Sequence, residues 1–156
     1  MGPVNKPKGT PEMADNKYAD KVLVIRLNPK VGSGRTEVFH LGPEGEEELQ
    51  ESIDYKWPGL GLKELTPMIQ ASIAEGLTRG VIDLVNVPWI DSTGLGLLVT
   101  VLHDFKKNDG VAVFANPTER VANIIEVTGL DRPFPVFKSL EAARTFLLSE
   151  EKPEAG

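Results

Sequence analysis

The sequence predicts an α/β domain in which helices cover a mostly parallel sheet of about four to five strands. Three observations carry that expectation. From Thr66 onward, β-branched runs alternate with capped amphipathic stretches, the order that builds parallel sheets through helical crossovers. Val81 to Val87 (VIDLVNV) is apolar on both faces apart from Asp83 and Asn86, as an interior strand should be. A chain of 156 residues without cysteine is the size of one domain and buries a core without disulfides.

Residues 1–19 are polar, rich in Pro, Gly and Lys, and without periodicity, so a disordered tail is expected there. Residues 151–156 have the same character, which leaves a single domain over 20–150. Its first strand is Lys21 to Leu27 (KVLVIRL). Residues 28–65 then read as an acidic, Gly- and Pro-containing insertion that carries EGEEELQE, with Thr36 to Leu41 as a short strand inside it.

The first helix is expected to start at Thr66 as N-cap with Pro67 at its first position, and to bury Met68, Ile69, Ile73 and Leu77. After the strand Val81–Val87, Asp91 and Ser92 open a helix to about Lys107, with a stripe of Leu95, Leu98, Val101, Leu102 and Phe105. Val111 to Ala115 is the next strand. Asn116-Pro117-Thr118-Glu119 reads as a capping box for a helix that runs to Thr128 and stops at Gly129. A short strand over Pro133–Phe137 and a Ser139-capped helix over Leu140–Leu148 complete the order.

Composition narrows the function. A net charge of -6 argues against direct nucleic-acid binding, which requires clustered Lys and Arg. With two histidines, His40 and His103, and no cysteine, no metal centre or other cofactor is expected. No apolar run approaches the ~20 residues of a membrane span, and no leader-like segment opens the chain. Proteins and small molecules are therefore the expected partners, in the cytoplasm.

The most informative stretch is PWIDSTGLGLLV, residues 88–99, in which Asp91, Ser92, Thr93, Gly94, Leu95 and Gly96 interrupt apolar sequence where a strand hands over to a helix. In open α/β sheets function concentrates at that end of the strands, and free N–H groups of a helix start favour an anion. A serine hydrolase would need a G-x-S-x-G elbow and a neighbouring base. Ser92 follows Ile90-Asp91, and His103 lies further along the same helix, roughly 16 Å away at about 1.5 Å per residue. Asp83, Pro88 and Asp91 resemble a response-regulator receiver, but the first strand ends in Leu27-Asn28-Pro29 and lacks the acidic pair for magnesium. DSTGLG also lacks the Lys-Ser or Lys-Thr of a phosphate loop. Trp89, just before the site, is read as core rather than as a contact residue.

Residues 80–148 resemble the STAS domain, the fold of bacterial anti-sigma factor antagonists. The resemblance rests on Ile90 followed by Asp-Ser-Thr-Gly-Leu-Gly, the strand and Asn-Pro turn with its helix at Phe114–Val127, Thr-Gly-Leu-Asp-Arg at Thr128–Arg132, and Phe134–Ala143. It implies a regulatory binding module without catalysis. In that family the serine after the aspartate, here Ser92, is phosphorylated by an anti-sigma factor that is also a serine kinase. The unphosphorylated form holds that partner, and a phosphatase resets the phosphorylated one. Asp91, Thr93, Gly94, Leu95 and Gly96 would share the switch surface. The family's Gly-x-Leu-Asp before the first helix has only Gly59-Leu60-Gly61-Leu62 as a counterpart here, without the aspartate. The alternative is a constitutive STAS scaffold or adaptor, of stressosome or lipid-transport type, whose DSTG is a structural cap.

Overall fold

A computed structural model of the chain describes residues 17–30, 33–55 and 62–149. The expected tails over 1–16 and 151–156, and Gly59 to Gly61 of the loop before the first helix, lie outside the described residues. The described elements are β1 (Val22–Lys30), β2 (Ser33–Leu41), β3 (Glu47–Tyr55), α1 (Leu62–Ala74), β4 (Arg79–Asp83), α2 (Ser92–Lys107), β5 (Val111–Ala115), α3 (Glu119–Val127), β6 (Val136–Phe137) and α4 (Leu140–Ser149).

The α/β class and the helix order are as expected, but the sheet has six strands, in the order β3-β2-β1-β4-β5-β6. The segment read as an insertion supplies two of them. β1 pairs antiparallel with β2 and β2 with β3, while β1-β4, β4-β5 and β5-β6 are parallel. β3 escapes the usual alternation because it is an edge strand with little beneath it: of its nine residues, only Ile53 is buried. Its acidic side chains also blunt a free edge against pairing with another chain. A bulge between Val38 and Phe39 shifts the β2-β3 register, so that Val38 faces Glu51 and Phe39 faces Leu49.

Successive residues of β1 point to opposite faces and divide the core in two. Leu23, Ile25 and Leu27 join Ile69 of α1, Leu98 and Phe105 of α2, and Val121 of α3 on one face. Val22 and Val24 join Val81, Val113 and the α4 residues Ala143 and Leu147 on the other. The packed structure also reaches into the expected N-terminal tail. A turn at Lys17–Asp20 sets Tyr18 edge-on against His40, with ring centroids 5.1 Å apart, and its hydroxyl donates to Glu75.

Several boundaries differ from the sequence reading: β1 runs on to Lys30, β2 starts at Ser33, the last strand is only Val136–Phe137, and three further differences have a local cause. α1 begins at Leu62, so Thr66 is not its cap and Pro67 lies inside it. Leu65 is 1% exposed and extends the apolar stripe one turn upstream, and Pro67, sixth in the helix and past its first turn, has no N–H to give the carbonyl four residues back. The Thr66 hydroxyl instead donates to Asp104 across the α1-α2 contact, at 3.2 Å. β4 ends at Asp83 rather than Val87, because the Asp83 carboxylate accepts from the Val85 N–H and turns the chain. The cap of α3 is Thr118 rather than Asn116: its side chain accepts from the Val121 N–H, while Asn116 sits at φ +58.

Candidate functional site

β4, β5 and the N-termini of α2 and α3 meet at one end of the sheet. Residues 84–90 carry the chain from β4 to α2. Leu84, Val87 and Ile90 are buried at 0%, 0% and 3% exposure. Leu84 N–H donates to the Ala115 carbonyl and Val87 N–H to Leu84, which pins the inner side of the loop. Those three take the inward positions, so Val85 and Trp89 face out, 48% and 45% exposed. Trp89 is thus a surface residue, contrary to the expectation from its size.

At the start of α2, Asp91 is the N-cap, in extended backbone, and its carboxylate accepts from the Gly94 N–H at 2.8 Å. Leu95 N–H donates to the Asp91 carbonyl. Among the described residues, the N–H groups of Ser92 and Thr93 in the first turn have no acceptor. Ser92 and Thr93 are both exposed, and the Ser92 hydroxyl has no hydrogen-bond partner among the described residues. Gly94 is buried, and a Cβ there would come within 2.8 Å of Ile90 Cγ1. Gly96 is exposed, with open space where its side chain would be. Leu95 and Leu98 are buried at 7% and 1%, and hold the helix on the core.

The six residues singled out in the sequence therefore form one unit with separate tasks. Asp91 caps, Gly94 and Leu95 pack, and Ser92, Thr93 and Gly96 are presented to solvent. Replacing Asp91 by alanine is expected to cost about 1 kcal/mol through the lost cap. Urea unfolding would measure it, and a loss below about 0.3 kcal/mol would show that Ser92 or Thr93 takes over the cap.

Neither histidine sits beside Ser92 as a base would. His103 stacks edge-on against Phe134, with centroids 5.7 Å apart. His40 belongs to β2, and burial pushes its pKa below the ordinary histidine value. Among the described residues, no group of three or more His, Asp or Glu is placed to hold a metal ion. Asp83, the residue that resembles a receiver's aspartate, is 1% exposed and pairs with Arg26 Nε at 2.7 Å. Burial pulls the Arg26 guanidinium down, but hydrogen bonds to Glu47 and Asp83 outweigh that and hold its pKa above the ordinary value. Sequence reasoning missed this pair, although a lone carboxylate in the apolar run VIDLV was its signal.

Fold and site together define an α/β domain that displays a capped helix start, bearing a free serine, at the end of its parallel strands. The chain belongs to the STAS domain family, whose model matches residues 46–143. An anti-sigma-B factor antagonist of Staphylococcus aureus (strain NCTC 8325 / PS 47) is 38% identical over 66 residues, which are 42% of this chain and 57% of that protein. The antagonist of Staphylococcus epidermidis matches at the same identity and coverage. The match thus spans little more than half the length of these curated relatives. In fold, the solution NMR structure of a Thermotoga maritima protein superposes with a TM-score of 0.53 at 17% identity, and covers 97% of this chain and 100% of that one. Among the described residues, no helix is long and apolar enough to cross a membrane.

Proposed function

We propose that the chain is an anti-sigma factor antagonist that acts in the cytoplasm. It binds an anti-sigma factor through the surface around the start of α2, frees the sigma factor, and lets go once Ser92 carries a phosphate. The partner itself, acting as a serine kinase, adds that phosphate, and a phosphatase removes it. The observation that carries this reading is the division of labour in DSTG: Asp91 serves the helix, so the exposed Ser92 hydroxyl has no structural duty. The staphylococcal relatives, both anti-sigma-B factor antagonists, support the same role.

Phosphate at Ser92 adds about -1.5 to -2 charge and three acceptor oxygens. The open N–H groups of the first turn and the helix dipole accommodate it, so the fold stays as it is. Its repulsion from Asp91 and from acidic groups of a docked partner acts at the interface. A coupling of 1–3 kcal/mol corresponds to an affinity loss of about 5- to 150-fold. Calorimetric titration of the anti-sigma factor with each form tests this: the phosphorylated chain should bind within that range of weakening, with an amide spectrum changed only around α2. Equal affinity of the two forms would overturn it.

A further inference from the structure

Resting on the reading of Ser92 as the switch, we propose that Asp83 is the positioning residue of that switch. Its buried carboxylate fixes the course of residues 84–90, and with it where Val85, Trp89 and the start of α2 stand toward a partner. The two oxygens hold different segments. Oδ2 accepts from Arg26 Nε of β1 at 2.7 Å. Oδ1 accepts from the Val85 N–H at 3.1 Å and from Asn116 Nδ2 at 3.0 Å. One carboxylate thus ties the central strand, the loop and the turn before α3 together.

Asn116 adopts φ +58, a region that few side chains other than asparagine and aspartate tolerate, and this conformation aims its amide at Asp83. The loop is also braced on either side of Val85. Asn86 Nδ2 donates to Asn28 Oδ1 at 2.5 Å, and Asn28 Nδ2 to Glu37 at 3.1 Å. Further along, the Thr118 hydroxyl approaches the carbonyls of Val87 and Pro88 at 3.5 and 3.4 Å. These polar ties, with Asp83 at their centre, hold the loop on the course that sets Leu84, Val87 and Ile90 inward, Val85 and Trp89 outward, and Ile90 beneath Gly94.

Amide hydrogen exchange in the full chain, wild type against Asp83→Asn, tests the positioning. Asparagine keeps the volume and the Oδ1 acceptor but sets an NH2 against Arg26 Nε. The Val85 and Val87 amides should exchange about tenfold faster or more, beyond any change common to α4. The serine kinase that modifies wild-type Ser92 should show a raised KM for the variant at unchanged kcat, which global loosening alone would not produce. If Asp83→Asn does not fold, Asn116→Gly removes one donor, suits φ +58, and should loosen the same two amides. Exchange at Val85 and Val87 that stays unchanged, or rises only in step with α4, overturns the inference. A wild-type chain that accepts no phosphate overturns the reading of Ser92 instead, and the exchange comparison separates the two failures.

Discussion

Replacing Phe105 by alanine is expected to destabilise the chain by about 4 kcal/mol, within the range for emptying a large aromatic site in a core. Phe105 is fully buried in the last turns of α2. The outer edge of its ring meets Gly80 of β4, where a Cβ would come within 2.4 Å of Phe105 Cζ. Its carbonyl accepts from the Gly110 N–H at 2.7 Å, so backbone and ring hold the same corner. Glycine on the strand and phenylalanine on the helix are complementary shapes, and neither neighbour can move in to fill the vacated space. α2 carries Ser92 at its other end, so this contact also steadies the platform of the switch. Urea unfolding of Phe105→Ala checks the value; a loss under about 2 kcal/mol would mean that the helix settles onto Gly80 and closes the cavity.

Arg26→Ala is expected to cost about 3 kcal/mol, because it leaves a buried carboxylate without its counter-charge. Asp83 would keep its two donors, Val85 N–H and Asn116 Nδ2, but no cation. The Arg26 side chain is 17% exposed, so some solvent reaches the pair, and the low end of the range for a broken buried ion pair applies. Arg26 also lies over the Phe39 ring at 4.6 Å, an attraction lost in the same substitution. Glu47→Gln is the control. Glu47 bonds the same guanidinium from an edge strand and is 36% exposed, so it should cost under about 1 kcal/mol. Equal losses for the two variants would place the stability in the surface half of the cluster instead.

What was legible in the sequence follows from how local its causes are. The α2 stripe and the Ser139 cap depend on neighbours within a turn or two, and both stand where periodicity and cap chemistry put them. The cap at Asp91 was equally local. β3 was not legible, since an edge strand with charged residues on both faces has lost the alternation that marks a strand. The early start of α1 was hidden because Thr66-Pro67 reads as a helix start, and only Leu65's burial against the core argues otherwise. Trp89 came out on the surface because the inward places of its loop belong to smaller residues. The ties of Asp83 to Arg26 and Asn116 join residues far apart in sequence, and no spacing rule reaches them.

The central claim is that Ser92, freed from capping by Asp91, is the acceptor of a regulatory phosphate. Intact mass after incubation with the anti-sigma kinase and ATP tests it most directly. The wild-type chain should gain one phosphate, and Ser92→Ala none. No gain, or an equal gain in Ser92→Ala, would contradict the claim.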